Sequence, residues 1–437
     1  MELIDVQQSD RPFVQDVEVA RSNVAGQKVG LNLLANKPRL AVVSPFLDKR
    51  HGTERCVVEQ VERLARDYEV HVYSNRIEDL DPAAIVWHRI PALPGPHLFA
   101  YGWWFLANQL WRWWDQRVRG LRYDLIYAPG INSFDADLIS VHIVFAEFYE
   151  RVRDDLKLSK NPVAAWPRLM HRHLYYALAK VLERQHYSRK DIALVVVSRK
   201  VGDDLQRFYG RKSRLSLIYH GWDPSRFSHA KRVDLREQAR QLLGLDQRTF
   251  AVLLIGNDWK KKGLPCLLEA VARFGVPDIC ILAVGTDSVT PYSAAIRRLG
   301  LQNRVHFFPI RPDVEFYYAA ADAYVGPSLE DAFAMPPLEA MACGLPVIVS
   351  RQAGVSELIT HGVDGLVLED PRDAGSLASM IGDLYRDAGL RERMRQNAAQ
   401  TAQHCTWDRN AEQLRAVIEE ILDLRHRVEP YTVPAVH

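Results

Sequence analysis

Pro327-Ser-Leu-Glu-Asp-Ala-Phe-Ala-Met-Pro-Pro-Leu-Glu-Ala-Met-Ala-Cys-Gly-Leu-Pro-Val-Ile-Val-Ser350 is the stretch on which the fold turns. Just before it, Ala323-Tyr-Val-Gly326 is a short apolar run, and Pro346-Val-Ile-Val-Ser350 closes it with another. Between them lies a loop carrying acids and then a short helix. Pro336 and Pro337 suit that helix's first turn, where a missing N–H costs nothing, and Gly344 suits its stop. Strand, loop, helix, strand is the repeating unit of a parallel sheet covered on both faces. The loop 331–335 delivers the chain to a helix N-terminus, whose free N–H groups and positive dipole end favour phosphate. Glu339 lies one turn further in, where a carboxylate suits hydroxyl groups better than anions. As isolated residues, Asp331 and Glu339 read first as caps of the short helix.

The same rhythm runs outward in both directions. Towards the N-terminus the strand candidates are Arg39-Leu-Ala-Val-Val-Ser-Pro45, Glu69-Val-His-Val-Tyr-Ser74, Leu125-Ile-Tyr-Ala128, Leu138-Ile-Ser-Val-His142 and Leu194-Val-Val-Val-Ser198. Segments with helical spacing, such as Thr53 to Arg66, separate them. In the second half the candidates are Phe250–Ile255, Ile279–Val284, Val305–Phe308, Ala323–Gly326, Pro346–Ser350 and Gly365–Leu368. The predicted fold is α/β, with two doubly wound domains that meet near Tyr219-His-Gly-Trp-Asp-Pro224. Ligands of open α/β sheets sit beyond the carboxyl ends of the strands, so two such edges facing each other define a cleft. Residues 1–38 read as a flexible leader, 39–216 as the acceptor-side domain and 217–405 as the donor domain, with 426–437 a tail.

A chain of 437 residues is too long for one hydrophobic core, in line with two domains. With 48% hydrophobic and 25% charged residues it has a globular composition, and a net charge of +2 gives no drive towards nucleic acid. Local charge is uneven, and the Lys- and Arg-rich stretch from Arg151 to Arg214 predicts a basic surface. Five scattered cysteines without a CxxC pair fit a reducing cytoplasm rather than a zinc or disulfide framework. The acidic, polar start does not read as a signal peptide, and no run of about 18 apolar residues predicts a span.

The motifs resemble the large retaining glycosyltransferase family 4. Its signature, E-G-F-G-x-P-x-x-E-A-x-A-x-G-x-P-V, aligns with Asp331-Ala-Phe-Ala-Met-Pro-Pro-Leu-Glu339 and its continuation to Val347. The resemblance implies the GT-B fold, two Rossmann-like domains facing a central cleft. It implies that Asp331 contacts the donor sugar and Glu339 the nucleotide ribose, with Phe333, Ala334 and Met335 in the donor loop. Asp331 is one methylene shorter than the family's glutamate, both loop glycines are alanines (Ala332, Ala334), and a one-residue shift would give Glu330 the sugar. Ile255-Gly-Asn-Asp-Trp-Lys-Lys-Lys-Gly-Leu264 resembles the family's G-R-x-x-x-x-K-G, which neutralises the donor diphosphate. Lys262 takes the lysine position and Asn257 stands where arginine is usual, while Lys260 and Lys261 read as a solvated run. Arg311, in Val305-His-Phe-Phe-Pro-Ile-Arg-Pro-Asp-Val314, falls where the family seats its base. Gln352-Ala-Gly-Val-Ser-Glu357 is a further landmark, and His220 replaces a common Asn at a hinge.

In the acceptor half, Phe46-Leu-Asp-Lys-Arg-His-Gly-Thr-Glu-Arg55 resembles the family's P-x-x-G-G-x-E loop, with Gly52 free to approach the donor or to make a tight turn. His142, at a strand end, is implied near the donor sugar and reads otherwise as a core histidine. Gly130-Ile-Asn-Ser-Phe-Asp-Ala-Asp137 and Leu182-Glu-Arg-Gln-His186 come closest to lipopolysaccharide core glucosyltransferases, which makes Asp135 a candidate near the acceptor. Tyr101-Gly-Trp-Trp-Phe-Leu-Ala-Asn-Gln-Leu-Trp-Arg-Trp-Trp-Asp115 holds five of the ten tryptophans. With Arg117, Arg119 and Arg122 it reads either as a helix packed on the sheet or as peripheral membrane contact through 101–122. The helix from Trp407 to Arg425 is expected to return to the N-terminal domain.

The expected reaction moves a hexose from a UDP- or GDP-sugar to a hydroxyl of a glycan or glycolipid, in the cytoplasm or at the inner face of its membrane. No cofactor or metal is expected. A nicotinamide dehydrogenase is disfavoured because no GxGxxG follows a candidate strand. A non-catalytic nucleotide-sugar or glycan-binding protein is the alternative.

Overall fold

The computed structural model describes residues 37–428 apart from 155, 158, 160 and 161. Nearly all of the expected leader and most of the expected tail lie outside these residues. Two parallel sheets organise the chain. The first orders Val86–Arg89, Glu69–Ser74, Arg39–Val43, Leu125–Pro129, Leu138–Val141, Ala193–Val196 and Leu215–Leu217. The second orders Val305–Phe308, Ile279–Val284, Phe250–Ile255, Ala323–Gly326, Val347–Ser350 and Leu366–Leu368. Phe250–Ile255 and Ile279–Val284 are buried at every residue, as strands covered by helices on both faces must be.

Strand order reverses beside Arg39–Val43 in one sheet and beside Phe250–Ile255 in the other. At such switch points the loops leaving adjacent strands part in opposite directions and open a crevice. The loops leaving these strands lead into the helices Gly52–Leu64 and Leu264–Phe274, and the loop after Ala323–Gly326 leads into Met335–Ala342. The residues singled out by sequence around Gly52, Lys262 and Asp331 therefore occupy the switch points.

Two edge strands carry little sequence signal. Val86–Arg89 is half charged or imidazole-bearing, with Val86 and Trp87 exposed, and Leu215–Leu217 is only three residues long. Edge strands need neither a continuous apolar run nor strict alternation.

The chain crosses between the halves twice, side by side. Trp222 donates its N–H to Cys405 O at 3.0 Å, and Trp407 donates to Trp222 O at 3.3 Å. A Cβ on Gly221 would stand 2.4 Å from the Trp407 nitrogen, so only glycine permits this approach. The helix Trp407–Val428 then lies against Gly52–Leu64, with Arg63 Nε 2.6 Å from Asp408 and Gln60 Nε2 2.9 Å from Asn410. Arg425 also pairs with Asp137, the far end of the same return.

The Trp-rich helix, His97–Arg117, divides its faces. Trp104, Phe105, Ala107, Asn108 and Arg112 are buried, whereas Leu106, Leu110, Trp111, Trp113 and Trp114 are exposed. No helix among the described residues is long and apolar enough to cross a membrane.

Candidate active site in the cleft

The turn before Leu264–Phe274 is wound tightly, and its winding places Lys262. Asp287 accepts from the N–H groups of Asp258, at 3.0 Å, and Trp259, at 2.5 Å. Gly263 has φ +85°, and a Cβ there would lie 2.0 Å from Pro327 O. Glycine thus lets this turn press against the neighbouring switch loop, where Leu329 donates its N–H to Lys261 O at 2.8 Å. Lys262 then reaches across to pair with the Asp331 carboxylate.

Asp331 is fixed through its backbone. Its N–H donates to Gln352 O and its carbonyl accepts from Gly354, both at 3.1 Å, which ties the loop to the segment 352–357. Burial works against its charge. Lys262, its hydrogen bond, Lys261 and the Phe333 N–H outweigh that burial and hold the carboxyl below its usual range. Glu330 points elsewhere, to Lys200 Nζ at 2.7 Å and Arg151 Nε at 3.4 Å on the acceptor half. Of the two adjacent acids, Asp331 is the one beside Lys262, and Glu330 helps to bind the halves together.

Glu339 is 4% exposed and bridges the cleft. One carboxylate oxygen lies 2.6 Å from Arg55 Nη1 of the acceptor half, and the other accepts from Tyr318 OH at 2.7 Å. Burial disfavours the Arg55 charge, yet Glu339 more than compensates and raises its pKa. The helix Met335–Ala342 that carries Glu339 begins without a side-chain cap, and because its second and third residues are Pro336 and Pro337, Met335 supplies the one N–H of its first three residues. Ala334 enters that helix at φ 70° and ψ 95°. The glycine-like backbone of the family loop is thus kept by an alanine, at a cost in strain. Across the gap, a Cβ on Gly52 would meet Met335 Cε at 3.4 Å.

His142 lies one residue beyond the strand Leu138–Val141, with Nε2 3.1 Å from Ser140 Oγ. Its ring stacks on His220, centroids 5.3 Å apart and planes 21° from parallel. Burial brings His142 down to about 4. His220 is pushed far below its ordinary range by burial first and His142 second, with Asp331 pulling the other way. Both imidazoles are neutral near pH 7, and the Nδ1 atom of each is buried without a hydrogen-bond partner among the described residues.

Three expected site residues have different surroundings. Phe333 is 2% exposed, with its ring edge-on to His220 at 5.1 Å, so it shapes the wall and offers a ligand little side-chain surface. Arg311 gives its guanidinium to Asp313 at 2.8 and 2.7 Å. Asp135 is held by buried Arg112 at 2.7 Å, which anchors the loop to the Trp-rich helix rather than turning the acid to the Asp331 group. Lys260 is exposed, and Lys261 lies 5.1 Å above the Phe148 ring of the acceptor half. Arg55 and Tyr318 were not singled out by sequence, since a single arginine or tyrosine on a helix gives no local cue, and His220 was placed at a hinge without its stack on His142.

Comparison with known proteins agrees with this geometry. The description "Glycosyltransferase Family 4" matches residues 50–226, and "Glycosyl transferases group 1" matches residues 236–401. The D-inositol 3-phosphate glycosyltransferase of Corynebacterium jeikeium is 28% identical over 262 residues, 57% of this chain and 62% of that protein. The chain thus spans less than two thirds of the length of this relative. The Escherichia coli lipopolysaccharide glucosyltransferase WaaG is 26% identical over 343 residues, 76% of this chain and 86% of its own. A crystal structure of WaaG superposes with a TM-score of 0.69 at 22% identity, over 86% of this chain and 98% of that one. Anabaena Alr3699/HepE in complex with UDP-glucose superposes with a TM-score of 0.65 at 21% identity, over 89% and 100%. Between them the two matched regions take in both walls of the cleft and every strand of the two sheets except Arg39–Val43, and the chain belongs to the family 4 glycosyltransferases of GT-B fold.

Proposed function

We propose that the protein transfers a hexose from a UDP-sugar to a hydroxyl of a glycan or lipid-linked acceptor, with retention of anomeric configuration. The observation that carries this reading is the assembly of Lys262, Asp331 and Glu339 on the donor wall around the uncapped start of Met335–Ala342, with Glu339 held from across the cleft by Arg55. Lys262, the Met335 N–H and the positive end of the helix dipole stabilise negative charge as it develops on the departing diphosphate. Asp331 and the neutral His142 hold the sugar hydroxyls, and Glu339 holds the ribose. When a donor enters, its phosphate and hydroxyl groups take over the partners that Lys262 and Asp331 now provide for each other. No side chain is assigned as a covalent nucleophile, and the diphosphate is neutralised without a metal.

The choice of UDP is supported by the UDP-glucose complex of the Anabaena neighbour. A lipid-linked acceptor at the inner face of the cytoplasmic membrane is supported by the exposed row Leu106, Leu110, Trp113 and Trp114. Incubation with UDP- and GDP-sugars, with and without glycan and glycolipid acceptors, tests the reading. Acceptor-dependent release of UDP is expected. Nucleotide binding without release from any donor would identify a sugar-nucleotide-binding protein instead. Asp331→Glu is expected to change donor preference or turnover, and indifference would move the sugar contact to Glu330.

A further inference from the structure

The basic stretch between Arg151 and Arg214 is hardly used by the transfer site, yet three of its cations meet. Arg153, Lys180 and Arg184 line one cavity of about 300 Å³ together with Tyr149, Phe208 and Tyr209. Its walls are the helices Phe145–Val152, Trp166–Tyr187 and Arg199–Tyr209 of the acceptor half, with Arg153 just past the end of the first. The lining's one carboxylate, Glu150, is taken by Arg207 at 2.8 Å. Arg153, Lys180 and Arg184 have no ion-pair partner among the described residues, and Lys180 Nζ instead stands 4.0 Å above the Tyr149 ring. The floor is built rather than incidental. Buried Glu183 holds Tyr209 OH and accepts from the N–H groups of Phe145, at 2.7 Å, and Ala146, at 3.0 Å.

Three unpaired cations around one cavity are mutually repulsive until an anion of more than one charge joins them. Two guanidinium groups favour a phosphate, which they grip in fork geometry. The aromatic wall favours a ligand with a flat apolar face behind that charge, which inorganic phosphate lacks. We propose that this cavity is a binding site for a phosphorylated sugar, separate from the donor cleft and independent of the transfer reaction itself. The cavity is one helix away from the donor loops. On Phe145–Val152, Tyr149 lines the cavity, while Phe148 lies under Lys261 and Arg151 reaches Glu330.

The full-length protein is titrated calorimetrically with glucose 6-phosphate, glucose, inorganic phosphate and UDP, and with a mannose 6-phosphate-terminated oligosaccharide. Binding of glucose 6-phosphate, roughly tenfold tighter than that of phosphate or glucose, is expected. The two phosphorylated ligands tell whether the group arrives free or on a glycan, and preference for either supports the site. The double variant Lys180→Ala/Arg184→Ala should weaken sugar-phosphate binding roughly tenfold or more and leave UDP binding unchanged. Both side chains lie on one face of a long helix, and an unchanged melting temperature checks that the fold is intact. Arg153→Ala gives a second reading from a different element. Unaltered sugar-phosphate binding in both variants, or its displacement by UDP, would overturn the proposal.

Discussion

The two walls of the cleft are made of different chemistry. The donor wall is charged and assembled from near neighbours in one sheet: Lys262, Asp331 and Glu339 come from adjacent switch loops and the helix they feed. The acceptor-side wall is largely neutral. His142 stacks on His220, both lowered by burial, and Arg55 reaches from it to Glu339 on the opposite side, as Lys200 and Arg151 reach to Glu330. The contrast assigns the walls different tasks. A charged wall can exchange an internal ion pair for a diphosphate, while a neutral one can accept sugar hydroxyls without competing for that charge.

Removing the donor wall's cation should have the largest effect. Lys262→Ala is expected to lower kcat/KM by about 10²–10³-fold, the scale of losing one preorganised group at developing charge. It also leaves Asp331 without its lysine, so a drop in the urea midpoint should accompany the kinetic loss. Arg55→Ala attacks the cross-cleft link and is expected to cost about 3 kcal/mol in urea unfolding, because Glu339 stays buried with Tyr318 alone. A loss as small as that of an exposed ion pair would mean that the two walls are not tied at this point.

The neutral wall is tested by pH. The folded state holds His142 near 4, below the usual value of about 6.5, so the unfolded chain binds more protons between these limits. Stability is therefore expected to fall as pH drops from 6.5 towards 4, by about 3 kcal/mol from this group. His142→Gln should flatten that part of the melting-temperature profile. An equally steep profile in the variant would assign the loss to other groups. The smallest effect is expected from Ala334→Gly. Relief of a strained backbone, about 1–2 kcal/mol, is offset by roughly 0.5–1 kcal/mol of added unfolded-state freedom. The net gain in unfolding free energy should be under about 1 kcal/mol, and destabilisation would mean that the alanine methyl packs usefully.

Sequence made the donor wall readable because its signals are local. Pro336, Pro337 and Gly344 punctuate a helix between two apolar runs, and the observed helix and strands match them closely. The strand 138–141 stops one residue short of His142, whose ring stacks on His220. The acceptor side was less legible, since its decisive contacts join distant residues. Arg55 and Glu339 are 284 positions apart, and Lys200 and Glu330 are 130. No periodicity records such pairs. Asp135 shows the reverse case, in which a promising acid is claimed by Arg112 on a helix that sequence did not connect to it.

The paired crossings at Trp222 and Thr406 have a mechanical consequence. One linker would act as a swivel, free to twist in any direction. Two backbones bonded to each other at the boundary act as a door hinge, which blocks sliding and torsion and leaves rotation about a single line. Ring contacts of Phe333 and Trp407 with His220 lie against that line. Rotation about that line would change the gap between Gly52 and Met335 while the residues at the pivot kept their neighbours.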